Sequence, residues 1–594
     1  MWWNEYDSFE DESSHAPSPG SIFKKVYPFI RPYRTIFIGS FFLSLTAVFL
    51  VLLQPRILMF LVDMAIPSGV YKQVRFGAFL YLGTMVLSAI VGFFSSWLLQ
   101  LAGVRAISDI KTKLFNHLLT LGLPYLEKFP VGKLVSRIES DSQRLISLTS
   151  TMMQRVLMAG GMLAGAMVML LLVDYRLFLI VAAILPVVIV GTYFLFKYLR
   201  PYFREERARY ATISGIVAEF LKSVSILQIF NRKNWAMKRL EDENNSYRFF
   251  AAKIAYVEYG IFRGLAFMEV LVTIAVLLLG SGWIKAGTMT IGTLILFSQY
   301  IAQIYWPIIM LSEQLGEIQR AGGAADRIFS TLAMEPVLKE TDTPQPFPEN
   351  IETIEFRNVS YGYIPEKPVL KNISFKVRSG ESVAIVGPTG GGKTTILGLL
   401  CRFRDPDSGQ ILINGTDIRS FELHTLRKNF GLVLQDLYLF PATVKENLMA
   451  FREDVPDEQM ENAIRISSID TVLFNRGLSL KDKLSEGGKD LSYGQRQLLA
   501  VARALTVNPS VLMLDEATSS VDPGTEQKIQ HAINTLIKGR TSFIVAHRLS
   551  TIRHSNMIMF IRDGEILEQG THDALMISQG FYHDLIMRQR EGSE

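Results

Sequence analysis

The sequence predicts two domains of different class on one chain. A six-helix transmembrane domain with long cytosolic helical extensions is followed by an α/β phosphate-loop nucleotide-binding domain. Three observations carry this. Hydrophobic residues make up 49% of the 594 positions, more than a soluble protein normally carries, and they gather in the first half. A proline-rich break at 331–350 ends that half. Beyond it, short strand-like runs alternate with glycine turns and amphipathic stretches, and one turn reads Gly387-Pro388-Thr389-Gly390-Gly391-Gly392-Lys393-Thr394.

Taken in order, residues 1–20 are acidic and end in a Pro/Ser/Gly run, which predicts a disordered tail and not a signal peptide. Ser21 to Thr35 mixes Lys24, Lys25, Arg31 and Arg34 with aromatic residues, as an interfacial helix does. The transmembrane domain spans 21–330. Six apolar segments lie near Ile36–Val62, Phe76–Leu101, Met152–Val173, Leu177–Leu199, Tyr259–Trp283 and Leu294–Leu311. Most reach the roughly 20 residues that cross about 30 Å of hydrocarbon. Buried helices of a soluble core would instead show polar faces at helical spacing. The even number of spans puts both termini on one side. The long connections, 102–151 and 200–258, are rich in Lys and Arg, so they and both termini face the cytosol. A single cysteine, Cys401, rules out an internal disulfide and a disulfide-stapled fold.

In the second domain, 351–594, the apolar strand Val383–Val386 runs into the phosphate loop, and a helical stretch from Thr395 to Leu400 runs out of it. Glycines let backbone N–H groups close on phosphates, and the helix N-terminus adds partial positive charge. Lys393 is placed to reach the β- and γ-phosphates and the Thr394 hydroxyl to ligate Mg²⁺. The buried-strand run Val511–Leu514 ends in Asp515-Glu516. There the first carboxylate can hold Mg²⁺ through water, and the second can polarise the attacking water. Leu491-Ser492-Tyr493-Gly494-Gln495 stands at the start of a helix and makes an anion-binding end. Alone it reads as an ordinary cap. Its spacing before Asp515 makes it informative.

These marks, together with Tyr363, Gln435, Ser519-Ser520-Val521-Asp522 and His547, occur in the order of the ATP-binding cassette family, and the chain resembles bacterial half-size ABC exporters. The resemblance implies that Tyr363 stacks on adenine and that Gln435 touches Mg²⁺ and senses the membrane domain. It makes Glu516 the general base and brings His547 to the γ-phosphate. It also implies head-to-tail pairing of two cassettes, so that Ser492, Gly494 and Gln495 complete the partner's ATP site. Coupling helices are expected near Leu121–Lys128 and Glu219–Leu227. Two departures stand out: Tyr493 replaces a glycine of the signature, and Ser485-Glu486-Gly487-Gly488 replaces Gly-Glu-x-Gly. Because this chain's own phosphate loop, Glu516 and His547 are intact while its signature is altered, a heterodimer is favoured over a homodimer.

The expected activity is ATP-driven export of amphipathic substrates across a bacterial plasma membrane. The alternatives are a lipid translocase, a peptide exporter or a membrane-anchored regulatory ATPase. A soluble ABC protein acting on DNA or ribosomes is excluded by the spans. Gln299, Gln303, Trp306 and Met310 share one face of the sixth span, either lining a substrate path or packing between helices. Glu269 lies mid-span, as a cation-recognising group or half of a structural pair with an arginine such as Arg56 or Arg263.

Overall fold

The computed structural model describes residues 19–364, 366–434, 437–515, 523–545 and 552–591, and for a few helical positions, Trp306 among them, the backbone only. The chain forms two compact units. The first comprises Met1–Leu119 with Pro130–Met334, and the second Thr120–Phe129 with Glu335–Glu594.

The first unit is helical. A short helix α1 (Pro19–Ile30) precedes α2 (Arg34–Phe60), α3 (Tyr71–Thr120), α4 (Met153–Val173), α5 (Tyr175–Lys222), α6 (Lys233–Lys285) and α7 (Ile291–Leu332). Among the described residues five stretches are long and apolar enough to cross a membrane: Lys24–Ala65, Tyr71–Thr120, Val131–Val173, Phe178–Lys222 and Ala266–Lys285. The apolar part of α7, Ile291–Tyr305, is shorter, although its helix continues unbroken to Leu332. Side chains of α2, α4, α5, α6 and α7 build one apolar core around Leu296, Phe297, Tyr300 and Ile301.

Three sets of polar contacts tie helices of this unit together. Ser40 and Ser44 of α2 bond Ser95 of α3 inside the apolar region, which removes the cost of unpaired hydroxyls there. Asp63 accepts from the Gly292 N–H at 2.8 Å and from the Thr290 hydroxyl at 2.5 Å, so a carboxylate closes the N-terminus of α7. Near the other end of α7, Arg327 forks onto Asp141 with bonds of 2.9 and 2.6 Å. Asp141 belongs to a π-helical turn, Arg137–Asp141. Such turns add one residue to the helix and re-aim the side chains that follow.

The second unit holds two sheets. An antiparallel one has the order β2 (Leu370–Arg378), β1 (Thr353–Tyr361), β4 (Ser408–Ile413), β5 (Thr416–Asp417). The larger has the order β10 (Glu565–Gly570), β9 (Met557–Arg562), β3 (Ser382–Val386), β8 (Thr541–Val545), β7 (Val511–Asp515), β6 (Phe430–Val433), and all but β10 run parallel. Its central strands are buried on both faces, which explains their continuous apolar runs. Alternate residues feed separate cores. Ala384, Leu512, Leu514 and Ile544 face one, while Val383, Ile385, Met513 and Val545 face the other. The register sets Ile385 and Asp515 level with Val545, so β3, β8 and β7 end at one edge. Ligands of open parallel sheets bind at that edge.

Candidate nucleotide site

The phosphate loop leaves the carboxyl end of β3 and enters α8 (Lys393–Leu400). Gly387 adopts φ +145°, and a Cβ there would lie 2.0 Å from the Ile561 carbonyl oxygen of β9. Gly392, at φ +94°, would meet Leu370 at 2.5 Å. The Gly391 N–H closes a turn on the Pro388 carbonyl, with Thr389 and Gly390 at its exposed tip. The backbone thus needs glycine both for conformation and for close approach.

Lys393 is 7% exposed, and its ammonium donates to the carbonyls of Gly387 (3.0 Å) and Pro388 (2.8 Å), which arches it over the loop. Burial lowers its pKa from the usual lysine value, and the negative charge of Asp515 opposes that shift. A cation that gives up hydration in this way gains most from a polyanion held at the same spot. The Thr394 hydroxyl donates to Asp515 at 3.0 Å, joining the start of α8 to the end of β7. Asp515 is 9% exposed.

Tyr363 stands beside this loop, and its hydroxyl lies 3.2 Å from that of Thr395. Tyr361 packs edge-on against the ring at 5.3 Å, and the Arg404 guanidinium lies over it at 4.6 Å. Tyr363 is nonetheless 53% exposed, which leaves ring surface for a flat partner. Sequence reading did not single out Arg404. It sits 41 positions after Tyr363, and no local pattern links the two.

Ser492 and Gln495 form a reciprocal capping box at the start of α9 (Tyr493–Val507), with Ser492 Oγ accepting from Gln495 N–H and Gln495 Oε1 from Ser492 N–H. Gly494 is buried in the first turn. The Tyr493 ring lies along its own helix, with the Arg496 guanidinium 5.9 Å from its centre and the Gln497 amide 3.5 Å from its hydroxyl. Among the described residues, Ser492, Gly494 and Gln495 make no hydrogen bond to the phosphate loop. Gln435, Glu516 and His547 lie outside the described residues.

In the first unit Gln299 is exposed and Gln303 half-buried, and among the described residues its buried Oε1 has no hydrogen-bond partner. Met310 is half-buried, and the side chain of Trp306 lies outside the described ones. Glu269 is half-buried. Among the described residues its carboxylate pairs with no arginine, neither Arg56 nor Arg263. Of the expected coupling segments, Leu121–Lys128 contains a short helix, Leu123–Leu126, and clusters with the second unit, whereas Glu219–Leu227 stays in the first.

Membrane-length helices followed by a parallel sheet with a phosphate loop at its carboxyl edge define a membrane protein driven by a nucleoside triphosphate. Residues 37–308 match the family described as the ABC transporter transmembrane region, and 370–519 match the ABC transporter family. The chain is 32% identical to YheH of Bacillus subtilis strain 168, described as a probable multidrug resistance ABC transporter ATP-binding/permease protein, over 86% of this chain and 76% of that one. It is 31% identical to YfiC of the same organism, an uncharacterized ABC transporter ATP-binding protein, over 86% of this chain and 85% of the other. A structure of a bacterial Atm1-family ABC exporter with ATP bound superposes with a TM-score of 0.75 at 25% identity, covering 94% of this chain and 98% of that one. The chain belongs to the ABC transporter family and is a half-transporter of the exporter type. It is a multi-pass protein of a bacterial-type plasma membrane with a cytosolic cassette, and ATP hydrolysis in that cassette drives export. Half-transporters of this type act as dimers.

Proposed function

We propose that this chain pairs with a related but different subunit and exports amphipathic, multidrug-type molecules. The carrying observation is the pairing of a complete phosphate loop with a signature that holds Tyr493. In a homodimer both sites would meet the altered signature. With a different partner, this chain's catalytic half can meet an unaltered one, and Tyr493 faces a site where fast chemistry is not required.

Within this chain's half, Gly387–Thr395 cradle the phosphates, and Lys393 turns from the loop carbonyls to the β- and γ-phosphates. Tyr363 stacks on the base. Thr394 and Asp515 are oxygen donors side by side, the kind of set Mg²⁺ takes together with water and phosphate oxygens, and Gln435 joins them. A Mg²⁺ held there would supply positive charge against the transferring phosphoryl group. Glu516 takes the proton of the attacking water, and His547 holds the γ-phosphate. Ser492, Gly494 and Gln495 act on the partner's nucleotide. In the membrane, Glu269, Gln299, Gln303, Trp306 and Met310 line the substrate path, and the Gln303 oxygen, unpartnered among the described residues, supports this by offering an acceptor.

The test is ATPase of the chain alone and of its complex across a panel of drugs, peptides and lipids, with uptake into inside-out vesicles. Little activity alone, with drug-stimulated activity and uptake by the complex, is the expected result. Robust drug-stimulated ATPase from the chain alone, running as a dimer, overturns the heterodimer. Stimulation confined to lipids or peptides overturns the drug class. Hydrolysis with no uptake of any kind indicates a regulatory ATPase.

A further inference from the structure

Segment Thr120–Phe129 continues directly from α3 yet clusters with the second unit. Its Glu127 forms an ion pair with Arg404. The same guanidinium donates through Nη1 to the Tyr361 hydroxyl at 3.0 Å and lies 4.6 Å over the ring of Tyr363. Tyr363 is tied by its hydroxyl to Thr395, the residue after Thr394 of the phosphate loop. Thr395, Tyr363, Arg404 and Glu127 therefore form an unbroken chain of contacts. It runs from the phosphate loop to the segment joined to α3.

The members differ in freedom. Tyr361 is 6% exposed, and Arg404 has a side-chain exposure of 16%, so both are held. Tyr363 is 53% exposed, and Glu127 has a side-chain exposure of 49%. Only a planar, forked cation can stack on one tyrosine while bonding a second tyrosine and a carboxylate, so lysine could not replace arginine here. A flat base stacked on the open part of the Tyr363 ring would fix that ring. It would thereby fix the guanidinium behind it and the carboxylate that the guanidinium holds.

We propose that Arg404 is a positioning residue that ties occupancy of the Tyr363 base platform to the segment 120–129. This rests on the reading of Tyr363 as the adenine platform. Nucleotide then acts on this segment through its base. By reciprocity, a displaced segment weakens the hold on the base but not on the phosphates.

The test uses the full chain in detergent with Lys128→Cys carrying an environment-sensitive fluorophore. The native Cys401 is 4% exposed and does not compete for the label. ATP should change the fluorescence, and inorganic tripolyphosphate, which has no base, should not. Glu127→Gln should shrink the ATP response about fivefold or more while ATP binding, followed by a radiolabel, stays near normal. Arg404→Gln should do the same, and the two together should do no more than either, because they break one link. A full response in Glu127→Gln, an additive double variant, an equal response to tripolyphosphate or no response to bound ATP overturns the proposal. Tyr363→Leu separates the underlying reading. Unchanged ATP affinity in that variant shows that Tyr363 is not the platform, whereas lowered affinity beside a failed label response refutes only the link through Arg404.

Discussion

Gly387→Ala adds one methyl group where the phosphate loop leaves β3. That carbon would stand 2.0 Å from the Ile561 oxygen and 3.0 Å from its carbon, both backbone atoms of a central strand. Ordinary contact needs more than about 3 Å, so the loop must retreat by about 1 Å. The φ of +145° adds strain of about 1–3 kcal/mol for any residue with a Cβ. A hydrogen bond from a loop amide to a charged phosphate contributes about 1.5–3 kcal/mol. Losing one or two of them should weaken ATP binding by about 10–10⁴-fold. Two other glycines serve as controls. Gly390 has φ +83° and no protein atom where its Cβ would lie, so Gly390→Ala should cost about 1–2 kcal/mol of stability and lose less affinity than Gly387→Ala. Gly398 lies inside α8, also with open space, and Gly398→Ala should stabilise by up to about 1 kcal/mol. Calorimetric ATP titration with thermal unfolding of all three checks this ordering. A folded Gly387→Ala protein that binds ATP within about threefold of wild type refutes the collision argument.

Other consequences are simpler to state. Glu516→Gln should retain ATP binding and slow turnover by about 10²–10⁴-fold, measured with the partner subunit in wild-type form. Burial pushes the Cys401 thiol up to about 12, so it stays protonated in the folded cassette. Alkylation at pH 9 should then be slow until the chain unfolds, and stability should fall as pH rises above the ordinary thiol value, because the folded state holds the proton more tightly. Asp141→Asn leaves Arg327 without its bidentate partner. With Arg327 about a third exposed, the expected loss is about 2–3 kcal/mol, below that of a fully buried pair, and a lowered Tm reads it out.

What was legible in the sequence was local. The phosphate loop, the strand before it and the helix after it are contiguous, and glycine spacing fixes their geometry almost alone. The capping box at Ser492 and Gln495 is equally short-range. The extent of the membrane helices was less legible. The expected span Phe76–Leu101 is the middle of one helix, Tyr71–Thr120. Composition marks where lipid ends, but a helix ends only where its backbone is broken, and Leu101 to Thr120 contains no proline. The Arg327–Asp141 pair and the Tyr363–Arg404 stack were not legible at all. Each joins residues far apart in the chain, and the first depends on a π-turn that no spacing rule announces.

The same locality bears on why the protein works as a dimer. Within one chain, strand register gathers Gly387, Lys393, Thr394 and Asp515 at one sheet edge. The signature belongs to a different helix, α9, whose first turn is closed by its own capping box and not by this loop. First-turn amides of any helix have no acceptor inside it, so that end gains most from an external anion. A second cassette, paired head-to-tail as the resemblance implies, would bring such an anion as bound nucleotide. In the pairing proposed for this chain, each cassette would hold one nucleotide by its loop and close on another by its signature. A change at Gly387 and a change at Tyr493 would then report on two different ATP molecules.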